Sequence, residues 1–505
     1  MVSDRPLRIV MLAAECAPYA KVGGLGDVVG ALPKALEKMG VKLTVVIPAY
    51  SSVLSSPFDI QTCSRVPGFD VPMKSDIEHA NVYQTGLDQT DTDVYLIGSR
   101  KYYDRNGIYD DPETKEGFPD NMERFVFFMK AALELLPKLD RPCDVIHCHD
   151  SHTALIPSLI QINHGKDPFF EGVRTLLTIH NIAHQGIYPK ESLDYAGINS
   201  SHFFPMSPFE YWGNVNFLKA GIEMADKLNT VSQTYASEIQ TNAELGMGLE
   251  GALRRRHDDF SGIINGIDYS EWNPETDPLI PARYSLRDMS GKARCKGHLL
   301  KYFGLPQSRN RIPLIGIVSR LADQKGFDLI EEAIEVITGL DLQLVVLGTG
   351  QQKYHNLFQR LAAKYPEKIA ARFSFDNGLA HKIEAGCDMF LMPSKFEPCG
   401  LNQLYSFRYG TIPIVRATGG LADTVVPYDG ETGTGFRFFK YSEEELVFAI
   451  KHALSVYSDS GCWQTLVKRV MAQDWSWDKS ASQYVQLYRS ILTKKRSVLK
   501  ANLCE

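Results

Sequence analysis

Twice in this chain an apolar run of strand length stops at a turn, gives way to helical periodicity and leads into a second apolar run. No other feature of the sequence restricts the fold more. The first instance is residues 7–14, then the glycine-rich Lys21-Val22-Gly23-Gly24-Leu25-Gly26-Asp27. Val28, Leu32, Leu36 and Met39 follow at helical spacing, and residues 43–47 form the next run. The second instance is residues 313–318, a turn from Arg320 to Lys325, then Phe327, Ile330, Ala333, Ile334 and Ile337. Residues 342–347 close it, ending at Gly348-Thr349-Gly350. Short, uniformly apolar runs suit buried parallel strands. Strand–helix–strand order in both halves predicts an α/β protein of two Rossmann-like, doubly wound domains.

Single cores rarely grow beyond roughly 250–300 residues, so 505 residues divide naturally in two. The boundary is expected near Asn265-Gly266-Ile267-Asp268, after the apolar Ile263-Ile264. That gives a first domain over 1–265 and a second over 266–477. Residues 268–311 mix Pro, Gly and charge and read as linker leading into the second domain. Residues 51–120, rich in Asp, Gly, Pro and Tyr, read as an insertion in the first domain that borders a cleft. The final helical pattern carries Tyr484, Leu487, Tyr488 and Ile491, and residues 478–505 are expected to cross back onto the first domain.

No apolar run approaches the ~20 residues that cross a bilayer. A net charge of −6 argues against a general nucleic-acid binder. The chain starts directly in a strand pattern, which points to a cytoplasmic protein, or to a processed chain in the plastid stroma. Nine cysteines without a CxxC pair read as reduced thiols.

In doubly wound sheets ligands bind beyond the carboxyl ends of the strands, so the turns carry the functional expectations. The stretch PSKFEPCGLNQLYSFRYG follows an apolar run and precedes a helical pattern. It reads as strand, tight loop and helix N-terminus, whose unpaired N–H groups favour anions. Glu397 at the mouth of that loop, just ahead of Cys399, Gly400 and Leu401, can bind sugar hydroxyls. The combination suits a nucleotide sugar. Arg320 and Lys325 flank another helix start and can grip a diphosphate; the plain alternative is a solvated helix start. Thr418, Gly419 and Gly420 form a third turn of this kind.

In the first half, Gly23 and Gly24 let backbone approach a phosphate, Lys21 adds a mobile charge and Asp27 falls in the first helical turn. The motif is not GxGxxG, and an ordinary strand–helix turn with a surface lysine is the alternative. His147-Cys148-His149-Asp150-Ser151-His152 invites a metal reading. Strand alternation sends His147 and His149 to one face and Asp150 to the other, and zinc ligands usually converge from further apart. No metal is therefore expected, and Asp150 at a strand's end is the better candidate for sugar recognition. His180 just past a third apolar run has two readings: a group holding a sugar hydroxyl, or a core histidine bonded to backbone.

Taken together, KVGGLGD, HCHDSHT, TIHNIAHQG, GIINGID, SRLADQKG and FEPCGLNQLY…ATGGLADT resemble the bacterial glycogen synthase and plant starch synthase family, in order and over nearly the whole chain. The resemblance implies a GT-B fold, no metal or other cofactor, and retaining transfer of glucose from ADP-glucose to the nonreducing end of an α-1,4-glucan. It implies that Lys21 contacts the donor, that Asp27, Asp150 and His180 line the acceptor wall and sugar site, and that Asn265 sits at the domain junction. Arg320 and Lys325 would bind the diphosphate, Glu397 would orient the glucosyl unit, and Phe375 stands where many bacterial members place an adenine-stacking tyrosine. Val22 replaces a common Thr and is similar to the plant isoforms III and IV and related cyanobacterial enzymes, a branch tied to chain initiation. Ser151 replaces a common Trp. Two rivals remain: a GT-B enzyme that uses UDP-glucose, and a weakly catalytic glucan-binding or priming scaffold.

Overall fold

The computed structural model describes residues 5–307 and 312–493. Two compact units emerge. The chain passes from the first to the second after Ile263 and returns after Ser476, with Ser232–Tyr235 also in the second.

The first unit is built on one large sheet. Its parallel strands lie side by side as Phe260–Gly262, Lys227–Thr230, Arg174–Ile179, Val145–His149, Arg8–Leu12, Lys42–Pro48 and Asp93–Gly98. Asp76–Gly86 adds antiparallel and carries Gly68–Met73 and Gln61–Thr62. The central strands are apolar on both faces because helices cover both. Chain order reverses between Arg8–Leu12 and Val145–His149, where Leu12 pairs with Cys148. Such a reversal opens a crevice at the strands' carboxyl ends, and Lys21–Asp27 and Asp150 follow those two strands.

The second unit repeats the plan with a smaller, wholly parallel sheet: Ile369–Arg372, Gln343–Leu347, Leu314–Val318, Met389–Met392, Ile412–Arg416 and Phe436–Phe438. Here the reversal lies between Leu314–Val318 and Met389–Met392, where Gly316 pairs with Phe390. The turns beyond these strands carry Arg320, Lys325 and Glu397.

The helix Gly24–Lys38 buries Val28, Val29, Leu32 and Leu36. A Cβ at Gly30 would lie 2.5 Å from the Ala17 carbonyl, so this helix packs closer to its neighbouring loop than alanine permits. The helix Trp477–Thr493 returns to the first unit and packs on that helix and on Arg174–Ile179. It buries Trp477, Ala481, Tyr484, Tyr488 and Ile491, a stripe at helical spacing. Residues 494–505, the rest of the expected returning segment, lie outside the described residues.

Two expectations need correction. Residues 268–311 are not only linker, because Ser290–Phe303 is a helix burying Cys295, Leu299, Leu300 and Phe303. Its lysines disguised it. Lys292 Nζ donates to the Tyr409 carbonyl at 2.9 Å and Lys296 Nζ to Asp388 Oδ2 at 2.7 Å, so these charges face inward. Residues 308–311 lie outside the described residues. Residues 51–120 are likewise more than an insertion. They supply the buried parallel strand Asp93–Gly98 and the antiparallel edge beside it.

No helix among the described residues is long and apolar enough to cross a membrane. Every cysteine among them is free, and all but Cys462 are buried.

Candidate functional site

In the second unit the turns at the switch point are laced together. A Cβ at Gly348 would lie 1.9 Å from the Ser319 carbonyl, and one at Gly350 would lie 2.3 Å from that of Leu321. Glycine is therefore required where this loop closes on the turn bearing Arg320. Arg320 itself is exposed and makes no ion pair among the described residues. Gly326 takes φ +73° and abuts the Pro393 carbonyl, which seats the Asp323–Lys325 turn against the end of Met389–Met392. Gln324 Nε2 donates to the Phe396 carbonyl at 3.1 Å, and Lys395 N–H to the Gln324 carbonyl at 2.8 Å.

These contacts bring Lys325 and Glu397 together. Lys325 Nζ donates to Glu397 Oε2 at 2.7 Å, and Ser394 Oγ donates to the same oxygen at 2.9 Å. Glu397 is 6% exposed, yet its Oε1 meets no donor among the described residues. One oxygen is fixed and the other is left for a ligand.

The loop backbone is held from the far side. Gly420 N–H donates to the carbonyls of Glu397 and Pro398, at 3.1 and 3.2 Å. Gly419 has φ +45°, and a Cβ there would sit 2.0 Å from the Glu397 carbonyl. Thr418, buried, leads into this contact. Gln403 Nε2 donates to the Cys399 and Gly400 carbonyls at 3.1 and 2.9 Å. Gly400 adopts φ +70°. The N–H groups of Gly400, Leu401 and Asn402, at the start of the helix Asn402–Tyr409, meet no acceptor among the described residues. They form a cluster of unpaired donors with the positive end of a helix behind it.

Asn265 is 3% exposed, its backbone donates to the Cys399 sulfur, and its Oδ1 is buried without a partner. Burial pushes the Cys399 thiol up to about 12, so it is no thiolate. Phe375 stands apart, 77% exposed, between Ile369–Arg372 and the helix Asn377–Gly386, with its ring face open.

In the first unit, Lys21 Nζ pairs with Asp27 Oδ1 at 2.5 Å. Gly23 has extended backbone and open space around its Cβ position, and Gly24 begins the helix. The loop is shaped by a residue the sequence did not single out. Glu15 Oε2 accepts from the N–H groups of Val22 and Gly23, at 2.6 and 3.0 Å, and Oε1 accepts from Tyr109 Oη at 2.6 Å. Desolvation raises the Glu15 pKa, against the hydrogen bonds from Tyr109, Val22 and Gly23.

Asp150 lies just past Val145–His149 at φ +55°, a conformation Asp tolerates better than most residues. Its Oδ1 accepts from the N–H groups of His180 and Asn181, at 2.7 and 3.4 Å. Burial pushes its pKa up to about 7, the backbone donors opposing. His180 is buried, and desolvation drives its pKa down to about 3, so it is neutral. His180 Nε2 and His149 Nδ1 are 2.9 Å apart.

The histidine half of the expected alternation is met: the rings of His147 and His149 lie 4.1 Å apart, tilted by 35°, on one side of the strand, while Asp150 falls beyond the strand's end. His147 is occupied by Tyr488 and Thr178, at 2.9 and 2.6 Å. His152 lies against Tyr109 and Phe125. Among the described residues no cluster of metal-ligating side chains occurs.

Two family models match the chain: starch synthase catalytic domain over residues 8–255, and glycosyl transferases group 1 over residues 306–460. The glycogen synthase of Koribacter versatilis is 44% identical over 485 residues, covering 95% of this chain and 98% of its own. That of Thermosipho melanesiensis is 42% identical over 492 residues, covering 97% and 100%. Among solved structures, the catalytic domain of starch synthase IV from Arabidopsis thaliana, bound to ADP and acarbose, matches with a TM-score of 0.89 at 34% identity. The match covers 97% of this chain and 100% of that one.

Proposed function

The chain belongs to the glycogen and starch synthase family of glucosyltransferases, with its two-domain GT-B architecture, and on that premise we propose that it transfers glucose from ADP-glucose to the nonreducing end of an α-1,4-glucan, with retention. The observation that carries this reading is the Lys325–Glu397 pair at a switch point, with one carboxylate oxygen and the Gly400–Asn402 amides still unpaired. A cation, a carboxylate and free backbone donors are what a sugar diphosphate needs. The ADP and acarbose bound to the Arabidopsis neighbour support an adenosine diphosphate donor and a saccharide acceptor.

The chemistry is a front-face displacement. The bond from the anomeric carbon to the diphosphate oxygen breaks, and a bond to the acceptor 4-oxygen forms on the same face. The departing phosphate oxygen takes the acceptor's proton. Arg320, Lys325 and the N-terminus of the helix Asn402–Tyr409 stabilise the growing charge, and donors fixed in advance are usually the largest catalytic contribution. Glu397 holds a sugar hydroxyl through Oε1 and is not a general base. Thr418, Gly419 and Gly420 keep its loop in place, Cys399, Gly400 and Leu401 face the sugar, Asn265 supports them, and Phe375 offers a stacking face to adenine. Lys21, Gly23, Gly24 and Asp27 contribute donor contacts, and Asp150 and His180 contribute the acceptor-side sugar contacts. No metal enters. A compartment that supplies ADP-glucose, cytosol or plastid stroma, goes with this reading.

Turnover of ADP-glucose against UDP-glucose, with a maltooligosaccharide acceptor, tests it. Preference for ADP-glucose by at least tenfold in kcat/KM, about 1.4 kcal/mol, is expected. Equal use, or preference for UDP-glucose, would overturn the donor assignment.

A further inference from the structure

The hydrogens around the buried histidines can be placed by following donors and acceptors. Thr178 Oγ1 donates its one proton to Asn229 Oδ1 at 2.5 Å. Toward His147 Nε2, 2.6 Å away, it can only accept, so His147 carries its proton on Nε2. His147 Nδ1 is then bare and takes the hydroxyl proton of Tyr488 at 2.9 Å. The amide of Asn229 donates onward to Tyr484 Oη at 3.1 Å. Both ring nitrogens of His147 are thereby assigned, and the ring is pinned.

The His149 ring lies 4.1 Å from that ring, tilted against it, and shares one hydrogen bond with His180, Nδ1 to Nε2 at 2.9 Å. One of the two must donate. If His180 Nε2 donated, the proton of His149 would sit on its own Nε2, which is buried with no partner. A buried N–H without an acceptor is the rarer and costlier arrangement. With the proton on His149 Nδ1, the isolated Nε2 is only a bare lone pair. His180 Nε2 then accepts, and the His180 proton moves to Nδ1, which meets no partner among the described residues.

We propose that His149 is a positioning residue: its Nδ1–H donates to His180 Nε2 and fixes His180 as the tautomer that offers Nδ1–H to the sugar. Burial keeps both rings neutral, so the choice of tautomer decides whether His180 acts as donor or acceptor. The sugar contact rests on the reading of His180 given above; the tautomer does not.

Neutron diffraction from a crystal of the wild-type chain, exchanged into deuterium oxide, reads the tautomer directly. Deuterium on His149 Nδ1 and on His180 Nδ1 is expected, and deuterium on His180 Nε2 would overturn the proposal. His149→Phe keeps an aromatic ring against His147 and removes the donor. It should lower kcat roughly 10- to 100-fold, by analogy with losing a partner that orients a metal-ligating histidine, and should cause no further loss in a His180→Ala background. Equal loss in both backgrounds would make His149 merely structural and overturn the proposal. A wild type without transferase activity would sink the sugar contact alone, and the deuterium positions would still decide the tautomer.

Discussion

Glu397→Ala is the most informative single substitution. The carboxylate is 6% exposed, and its Oε2 holds Lys325 at 2.7 Å and Ser394 at 2.9 Å. Removing one partner from a fully buried ion pair costs about 3–5 kcal/mol. The Lys325 side chain retains 21% exposure and can recover water, so the stability loss should be smaller, about 1–2 kcal/mol. Activity should fall further. A hydrogen bond to a charged group contributes about 1.5–3 kcal/mol, and the substitution removes the Oε1 bond to the sugar and also releases Lys325. Together these give at least a ~100-fold loss in kcat, about 2.7 kcal/mol. Initial rates of labelled glucose incorporation, beside calorimetric unfolding of the same samples, would separate the two effects. Glu397→Gln, which keeps shape and one acceptor, should fall in between. A Glu397→Ala rate within threefold of wild type, in a folded protein, would refute the placement of this residue in the site.

Arg320→Ala and Lys325→Ala should each lose roughly 2–4 kcal/mol of transition-state stabilisation, and the double variant should lose less than the sum if both serve one diphosphate; full additivity in kcat/KM would argue against a shared group. Gly419→Ala places a Cβ 2.0 Å from the Glu397 carbonyl at φ +45° and should abolish most activity, whereas Gly23→Ala, with open space and extended backbone, should leave melting temperature within a few degrees. His147 is neutral in the fold because desolvation lowers its pKa from 6.5 to about 3. Its contribution is present above pH 6.5 and is lost as pH falls. The stability gap between wild type and His147→Gln should therefore narrow by about 2 kcal/mol from pH 6.5 to 5, read from denaturant midpoints; a constant gap would contradict the buried neutral ring. A chelator should change the rate less than twofold, and loss restored only by a divalent ion would revive a metal role for the histidines.

Much of the architecture was legible because it rests on local signals. Buried parallel strands are short, uniformly apolar and followed by turns, so residues 7–14, 43–47, 313–318 and 342–347 could be placed within a few positions of Arg8–Leu12, Lys42–Pro48, Leu314–Val318 and Gln343–Leu347. The strand ends that carry Arg320, Lys325, Glu397 and Asp150 came with them. What stayed hidden depends on partners distant in sequence. Glu15 looks like a surface carboxylate until Tyr109 arrives 94 residues later to join Val22 and Gly23 around it. The helix Ser290–Phe303 was obscured by lysines whose acceptors, near Asp388 and Tyr409, lie about a hundred residues on. The antiparallel strand Asp76–Gly86 buries Ala80 and Val82 but interleaves them with partly exposed polar residues, which blurred its alternation. His149 read as one member of a possible metal-binding run from His147 to His152, and only the unpaired Nε2 and the contact with His180 point to its proposed part.

The central claim is glucosyl transfer with retention onto an α-glucan. The most direct measurement is the linkage and anomeric configuration of product made from carbon-13-labelled ADP-glucose, read by NMR with and without a maltooligosaccharide primer. The account predicts labelled glucose joined by α-1,4 bonds at the nonreducing end. Labelled β-linked product, or free labelled glucose with no transfer to primer, would contradict it.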